Sequence, residues 1–161
     1  MELTRLKVNS QYRPCVDEAP YFSWVITSDK KNVMQTSYHI TVTSLGEVVW
    51  DSGVIESDKS TFVEYNGKPL KSLSDYSWTV KVTVNNGEKA AASSSFETGF
   101  MKKEWTAEWV KSPFPMKKVK PGTGGQNPAE YFRKEFGVRD GIKRARVYAT
   151  CHGAYQLSMN G

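Results

Sequence analysis

The sequence has two cysteines and two histidines in 161 residues, and that scarcity closes several routes to function. Cys15 and Cys151 lie far apart without metal-ligand spacing, so two unpaired structural thiols are expected. His39 has no second His, Cys or carboxylate at ligand spacing and is expected as a lone, outward-pointing surface residue. There is no Ser-His-Asp order, no phosphate-binding glycine loop and no metal box. The tight carboxylate pairs are Asp17-Glu18, Glu56/Asp58 and Glu104/Glu108, and each falls in a turn or at a strand edge with no apolar pocket evident. No catalytic residue, metal site or cofactor is therefore assigned. The N-terminus lacks an apolar run long enough for a signal-peptide core, and no stretch approaches a membrane span. A cytoplasmic protein is expected, or a secreted one if a leader precedes this chain.

Charge is plentiful but uneven. Residues 1–100 carry a balance of −2 and residues 101–161 a balance of +7, within a net charge of +5. Lys111, Lys117, Lys118 and Lys120 sit among Pro113, Pro115, Pro121 and Gly122, which reads as a solvated basic loop. No nucleic-acid motif accompanies it, so no nucleic-acid partner is expected. Aromatics make up 12% of the chain, including five Trp and eight Tyr. That suits a thin β-sandwich core and also carbohydrate binding.

The clearest pattern is at 75–86. Tyr76, Trp78, Val80, Val82 and Val84 share one parity, and Ser77, Thr79, Lys81 and Thr83 the other. This is the period-2 signature of a strand with one buried face. Asn85-Asn86-Gly87 closes it with a hairpin signal. Tyr76, with Leu73 three residues before it, suggests the tyrosine corner of Greek-key sandwiches.

Other strands are predicted at 3–8, 21–27, 35–43, 48–50, 62–65 and 91–98. Phe22, Trp24 and Ile26 share one face of the second, and Trp24 is expected beside Trp78 and Tyr76. Asp51-Ser52-Gly53 is expected to end the strand at Trp50. Seven short strands with regular turns and no helical pattern predict an all-β fold, an immunoglobulin-like or fibronectin type III-like sandwich over residues 1–100. Without a Cys…Trp…Cys core it falls on the fibronectin side.

Beyond Gly99 the texture changes. Trp105 and Trp109 are spaced i, i+4, which fits one helical turn, though an extended strand is equally compatible. Residues 101–130 form a Pro/Gly/Lys-rich linker and loop. Alternation resumes at 131–138, 144–150 and 155–159, and the chain closes on Asn160-Gly161, a hairpin signal with no returning strand. Residues 131–161 are expected as the first strands of an incomplete second β domain. Such a piece would be completed by further sequence, by the first domain or by self-association, the last of which light scattering would reveal.

Several motifs recur in a telling order. They are Phe22-Ser23-Trp24, the run from Gln35 to Ile40, Trp50-Asp51-Ser52-Gly53, the run from Tyr65 to Leu70, and Tyr76-Ser77-Trp78-Thr79-Val80. Phe96-Glu97-Thr98-Gly99, the run from Trp105 to Val110, Phe132-Arg133-Lys134-Glu135-Phe136 and Gly153-Ala154-Tyr155 follow. As a set they resemble the N-terminal region of bacterial α-L-rhamnosidases of the inverting, helical-barrel kind. The resemblance implies a fibronectin-like domain followed by the start of a jelly-roll domain. It also implies a later sandwich and an (α/α)6 barrel holding the acid and base carboxylates beyond Gly161. The missing domains of the same polypeptide are then the expected partners, and hydrolysis of terminal α-L-rhamnosides the parent activity. The competing expectations are an adhesion-type fibronectin module and a carbohydrate-binding module. In the latter, Trp50, Trp105 and Trp109 would be stacking platforms for a rhamnose-containing glycan.

Overall fold

A computed structural model describes residues 1–114, 129–142 and 145–160, and every regular element among them is a strand. Two compact units are present, Met1–Glu108 and Trp109–Gly161. The first holds all eight strands: β1 (Glu2–Val8), β2 (Cys15–Val16), β3 (Tyr21–Thr27), β4 (Gln35–Ser44), β5 (Glu47–Glu56), β6 (Val63–Glu64), β7 (Asp75–Val84) and β8 (Lys89–Thr98). They form a three-stranded sheet in the order β1-β3-β6 and a five-stranded sheet in the order β2-β8-β7-β4-β5.

The parity of β7 is borne out along its whole length: Tyr76, Trp78, Val80, Val82 and Val84 are all buried. They pair through β4 on one side and β8 on the other, at the centre of the larger sheet. Phe22 of β3 is the hub that joins the two sheets. Its ring lies 4.7 Å from Trp78, 6.1 Å from Phe96 and 6.0 Å from Trp50. Among ring pairs, Phe22 therefore occupies the place expected for Trp24. Trp24 is equally buried but meets Tyr38 edge-on at 5.4 Å.

The tyrosine corner forms. Tyr76 Oη accepts the Lys71 N–H at 2.8 Å, so the hydroxyl closes the turn that leads into β7. Thr98 fastens the same turn from the far strand. Its buried hydroxyl donates to the Lys71 carbonyl at 2.6 Å and accepts the Ser74 N–H at 2.9 Å. The Gly99 N–H donates to Val16 and the Gly99 carbonyl accepts the Leu73 N–H. The run Phe96-Glu97-Thr98-Gly99 is thus a clasp that ties the corner, β8 and β2 together. β2 itself, two residues pairing parallel to β8, lies in what reads from sequence as a turn-rich passage.

In β4 and β5 the simple alternation is broken. In β4 an extra residue at Thr36 lets both Gln35 and Tyr38 turn inward. In β5 the strand does not stop at Trp50 as expected but continues through Asp51-Ser52-Gly53 to Glu56. Gly53 takes a φ of 63° there, and one surplus residue forms a bulge opposite β4. The bulge survives because side chains replace the lost ladder bonds. Ser52 Oγ accepts the Ile40 N–H at 2.8 Å and donates to the Gly53 carbonyl at 2.7 Å.

The strands expected at 131–138, 144–150 and 155–159 are not found as ladders among the described residues, which exclude 143–144 and 161. Period-2 alternation supplies an apolar face, but a strand also needs a neighbour for its backbone groups. Tyr131, Phe132, Phe136 and Leu157 are each more than half exposed. Residues 104–109 form neither the helical turn nor the strand that the tryptophan spacing allows. Most of the basic loop, residues 115–128, lies outside the described residues.

Candidate functional site

The three tryptophans expected as stacking platforms have different surroundings. Trp50 faces inward from β5, opposite Val42, and is half-buried. Its ring stacks on Phe22 at 15° and meets Tyr65 edge-on at 5.0 Å. Trp105, in the first unit, is 47% exposed and stacks on Phe100 at 4.5 Å. Trp109, in the second unit, is 65% exposed and stacks on His152 at 4.2 Å.

Trp50 is held from below by the run that follows β6. The Tyr65 hydroxyl donates to the Lys68 carbonyl at 2.7 Å and closes a short turn. Gly67 lies inside that turn, against the Tyr65 ring and the Trp50 β-carbon. Trp50 is consequently a wall of the sandwich and remains partly accessible.

Asp51 and Ser52 make up the rest of the bulge. One Asp51 carboxylate oxygen accepts the Gly53 N–H at 2.8 Å and lies 2.6 Å from His39 Nε2. His39 points outward as expected but is not alone. The ladder brings Asp51 beside it across β4 and β5, a pairing that sequence spacing does not reveal. The Gly53 N–H first, and then the His39 hydrogen bond, hold the Asp51 carboxyl below its ordinary value. A carboxyl depressed in the folded state contributes stability above its ordinary pKa, and that contribution is lost as pH falls through the lowered value. Glu88 is depressed by Lys30 and Asn86 and acts in the same sense. The urea midpoint is expected to fall as pH drops below about 4. Asp51→Asn should remove part of that acid dependence, and an identical pH profile for the variant would refute this role.

A groove of about 360 Å3 opens beside Trp50, between the edge strands β5 and β6. Tyr38, Trp50 and Ile55 come from the larger sheet, and Glu64 and Asn66 from β6 and the turn after it. Lys59 comes from the connection between them. That connection is pinned by Gln35, whose Nε2 donates to the carbonyls of Ser57 and Lys59, both at 2.9 Å. Gln35 Oε1 in turn accepts the buried Trp24 indole N–H at 3.0 Å. Sequence reasoning missed Tyr38, Lys59, Glu64 and Asn66 as neighbours, because only the crossing from one sheet to the other brings them together.

The remaining chemistry is dispersed. Asp17, Glu18, Glu56, Asp58, Glu104 and Glu108 are all exposed. Asp17 is engaged by the Met101 N–H. Among the described residues no group of three His, Cys, Asp or Glu side chains could hold a metal ion. Cys15 and Cys151 are both free thiols.

Residues 3–102 match the model of the Rha78A-like, N-terminal immunoglobulin domain. The chain belongs to that family. An α-L-rhamnosidase from Formosa agariphila is 30% identical along all of this chain, which spans 20% of that enzyme. One from Streptomyces avermitilis is 29% identical over 88% of this chain and 16% of its own length. A crystal structure of the Streptomyces avermitilis α-L-rhamnosidase complexed with L-rhamnose superposes with a TM-score of 0.64 at 34% identity. It covers 70% of this chain and 12% of that one. The α-L-rhamnosidase from Dictyoglumus thermophilum gives a TM-score of 0.62 at 31% identity, covering 68% and 14%. This chain thus spans about a fifth or less of the relatives it matches, which carry further domains in the same polypeptide.

Within this family the quoted motifs acquire physical roles. Trp50-Asp51-Ser52-Gly53 is a self-capped bulge, and Tyr65 to Lys68 is a hydroxyl-closed turn. Tyr76 and Thr98 are two ends of one corner clasp. These motifs are accounted for by the sandwich itself.

Proposed function

We propose that this chain is the non-catalytic N-terminal portion of an α-L-rhamnosidase. The observation that carries the proposal is the asymmetry of coverage: relatives so named match 88–100% of this chain over only 16–20% of their own length. The tight carboxylate pairs of the sequence support it, since Asp17, Glu18, Glu56, Asp58, Glu104 and Glu108 are all exposed, and Asp51 is engaged by the bulge. Hydrolysis of terminal α-L-rhamnosides then belongs to the rest of the polypeptide. There one carboxylic acid would protonate the leaving oxygen while a second carboxylate activates water.

In this proposal the sandwich of residues 1–100 is a rigid support, and the segment from 131 onward is the opening of the next β domain. The exposed aromatic side chains of that segment support the second part, since a domain lacking its remaining strands leaves its apolar face uncovered. Sequencing the coding frame past codon 161 tests it. The expected result is a continuation several times longer than this chain, including a helical-barrel region with paired carboxylates. A stop codon at that point would overturn it.

A further inference from the structure

The groove between β5 and β6 contains a polar group that the fold itself leaves unused. Tyr38 is 9% exposed and lines the groove, and its hydroxyl makes no hydrogen bond with any described residue. The hydroxyl is not sealed from solvent, so a ligand can take the place of water as its partner. Burial raises the Tyr38 pKa, so the group remains a neutral donor at ordinary pH. Its neighbours are similarly open. Lys59 and Glu64 take part in no ion pair among the described residues, and the Asn66 amide makes only a 3.4 Å contact with the Glu64 carbonyl.

The mixture of groups selects the ligand. An anion would meet Glu64 and Asp51, and a cation would meet Lys59. A wholly apolar ligand would strip water from all of them. A neutral polyhydroxylated ring can instead accept from Lys59 and Tyr38 and donate to Glu64 and the Asn66 carbonyl. It can also lay its C–H face against Trp50 and Ile55. At about 360 Å3 the groove lies at the small end of ligand sites and fits a single ring unit. The rim is fixed before any ligand arrives, because Gln35 holds the 57–59 connection in place.

We propose that this groove binds one neutral monosaccharide unit of a glycan, with the Tyr38 hydroxyl, Lys59, Glu64 and Asn66 as its polar contacts and Trp50 and Ile55 as its apolar wall. Trp50 then acts as one wall of a pocket and not as an open platform. The groove itself does not depend on the rhamnosidase proposal; only the choice of rhamnose as the favoured sugar does.

The test is an amide and indole chemical-shift titration of the 161-residue chain with methyl α-L-rhamnoside, methyl β-D-glucoside and methyl β-D-glucuronide. Saturable shifts are expected at Tyr38, the Trp50 indole and the Asn66 side-chain amide with a neutral sugar. Tyr38→Phe should weaken binding about five- to tenfold, the worth of one hydrogen bond. It should leave the urea midpoint unchanged, because the hydroxyl has no internal partner to lose. Binding of the glucoside but not the rhamnoside would uphold the groove and count against the rhamnosidase proposal. Absence of shifts with both neutral sugars, preference for the glucuronide, or undiminished binding by Tyr38→Phe would each overturn the inference.

Discussion

Replacing Trp24 with alanine is expected to lower the free energy of unfolding by about 3–5 kcal/mol, a large share of the roughly 5–15 kcal/mol of a typical domain. Two losses combine. The cavity removes the edge-on contact with Tyr38 inside a core where Trp24 is 1% exposed. The missing indole N–H also deprives Gln35 Oε1 of its buried donor, at the link between β3, β4 and the 57–59 connection. Trp24→Phe separates the two, because it keeps an aromatic ring and removes the donor. Its cost should be about 1–3 kcal/mol, and it should be strongly non-additive with Gln35→Leu. Urea denaturation of the two single variants and the double variant measures this coupling directly. Simple additivity would show that the Trp24–Gln35 bond contributes nothing.

Gly67→Ala should also be clearly destabilising, although it adds only one methyl group at a half-buried turn position. A β-carbon there would stand 2.5 Å from Tyr65 Oη and 2.7 Å from the Trp50 β-carbon. Neither neighbour can yield freely. Tyr65 is buried and tethered to the Lys68 carbonyl, and Trp50 is stacked on Phe22. Overpacking of this kind costs about 1–3 kcal/mol. A lowered urea midpoint with loss of near-ultraviolet aromatic dichroism is expected. Gly137→Ala is the control, because a β-carbon there meets nothing within 4 Å. It should leave stability within about 0.5 kcal/mol of the parent. Equal effects of the two substitutions would refute the close packing at Gly67.

The same residues show what a sequence can and cannot disclose about this fold. Tyr76 to Val84 is legible because five apolar residues alternate without a break and the strand lies between two partners. The tyrosine corner is legible because it is local, spanning only Lys71 to Tyr76. The bulge at Ser52-Gly53 reads as a strand end, because nothing local shows that Ser52 Oγ will replace a ladder acceptor for Ile40. β2 is too short for a pattern and depends on β8, more than eighty residues away. The His39–Asp51 pair and the groove are products of register and of the crossing between sheets. Their members are dispersed from residue 38 to residue 66.

The segment beyond 130 shows the limit of periodicity from the other side. Ala145, Val147 and Ala149 alternate as a strand should, yet no ladder forms among the described residues there. Alternation specifies a face, and only a partner strand turns the face into a sheet.

The non-catalytic assignment is tested by release of the aryl group from an aryl α-L-rhamnoside by the purified 161-residue chain, followed across the pH range in which the sandwich stays folded. A rate indistinguishable from the buffer blank is expected at every pH. Saturable turnover that survives further purification would place a catalytic site within these residues and contradict it.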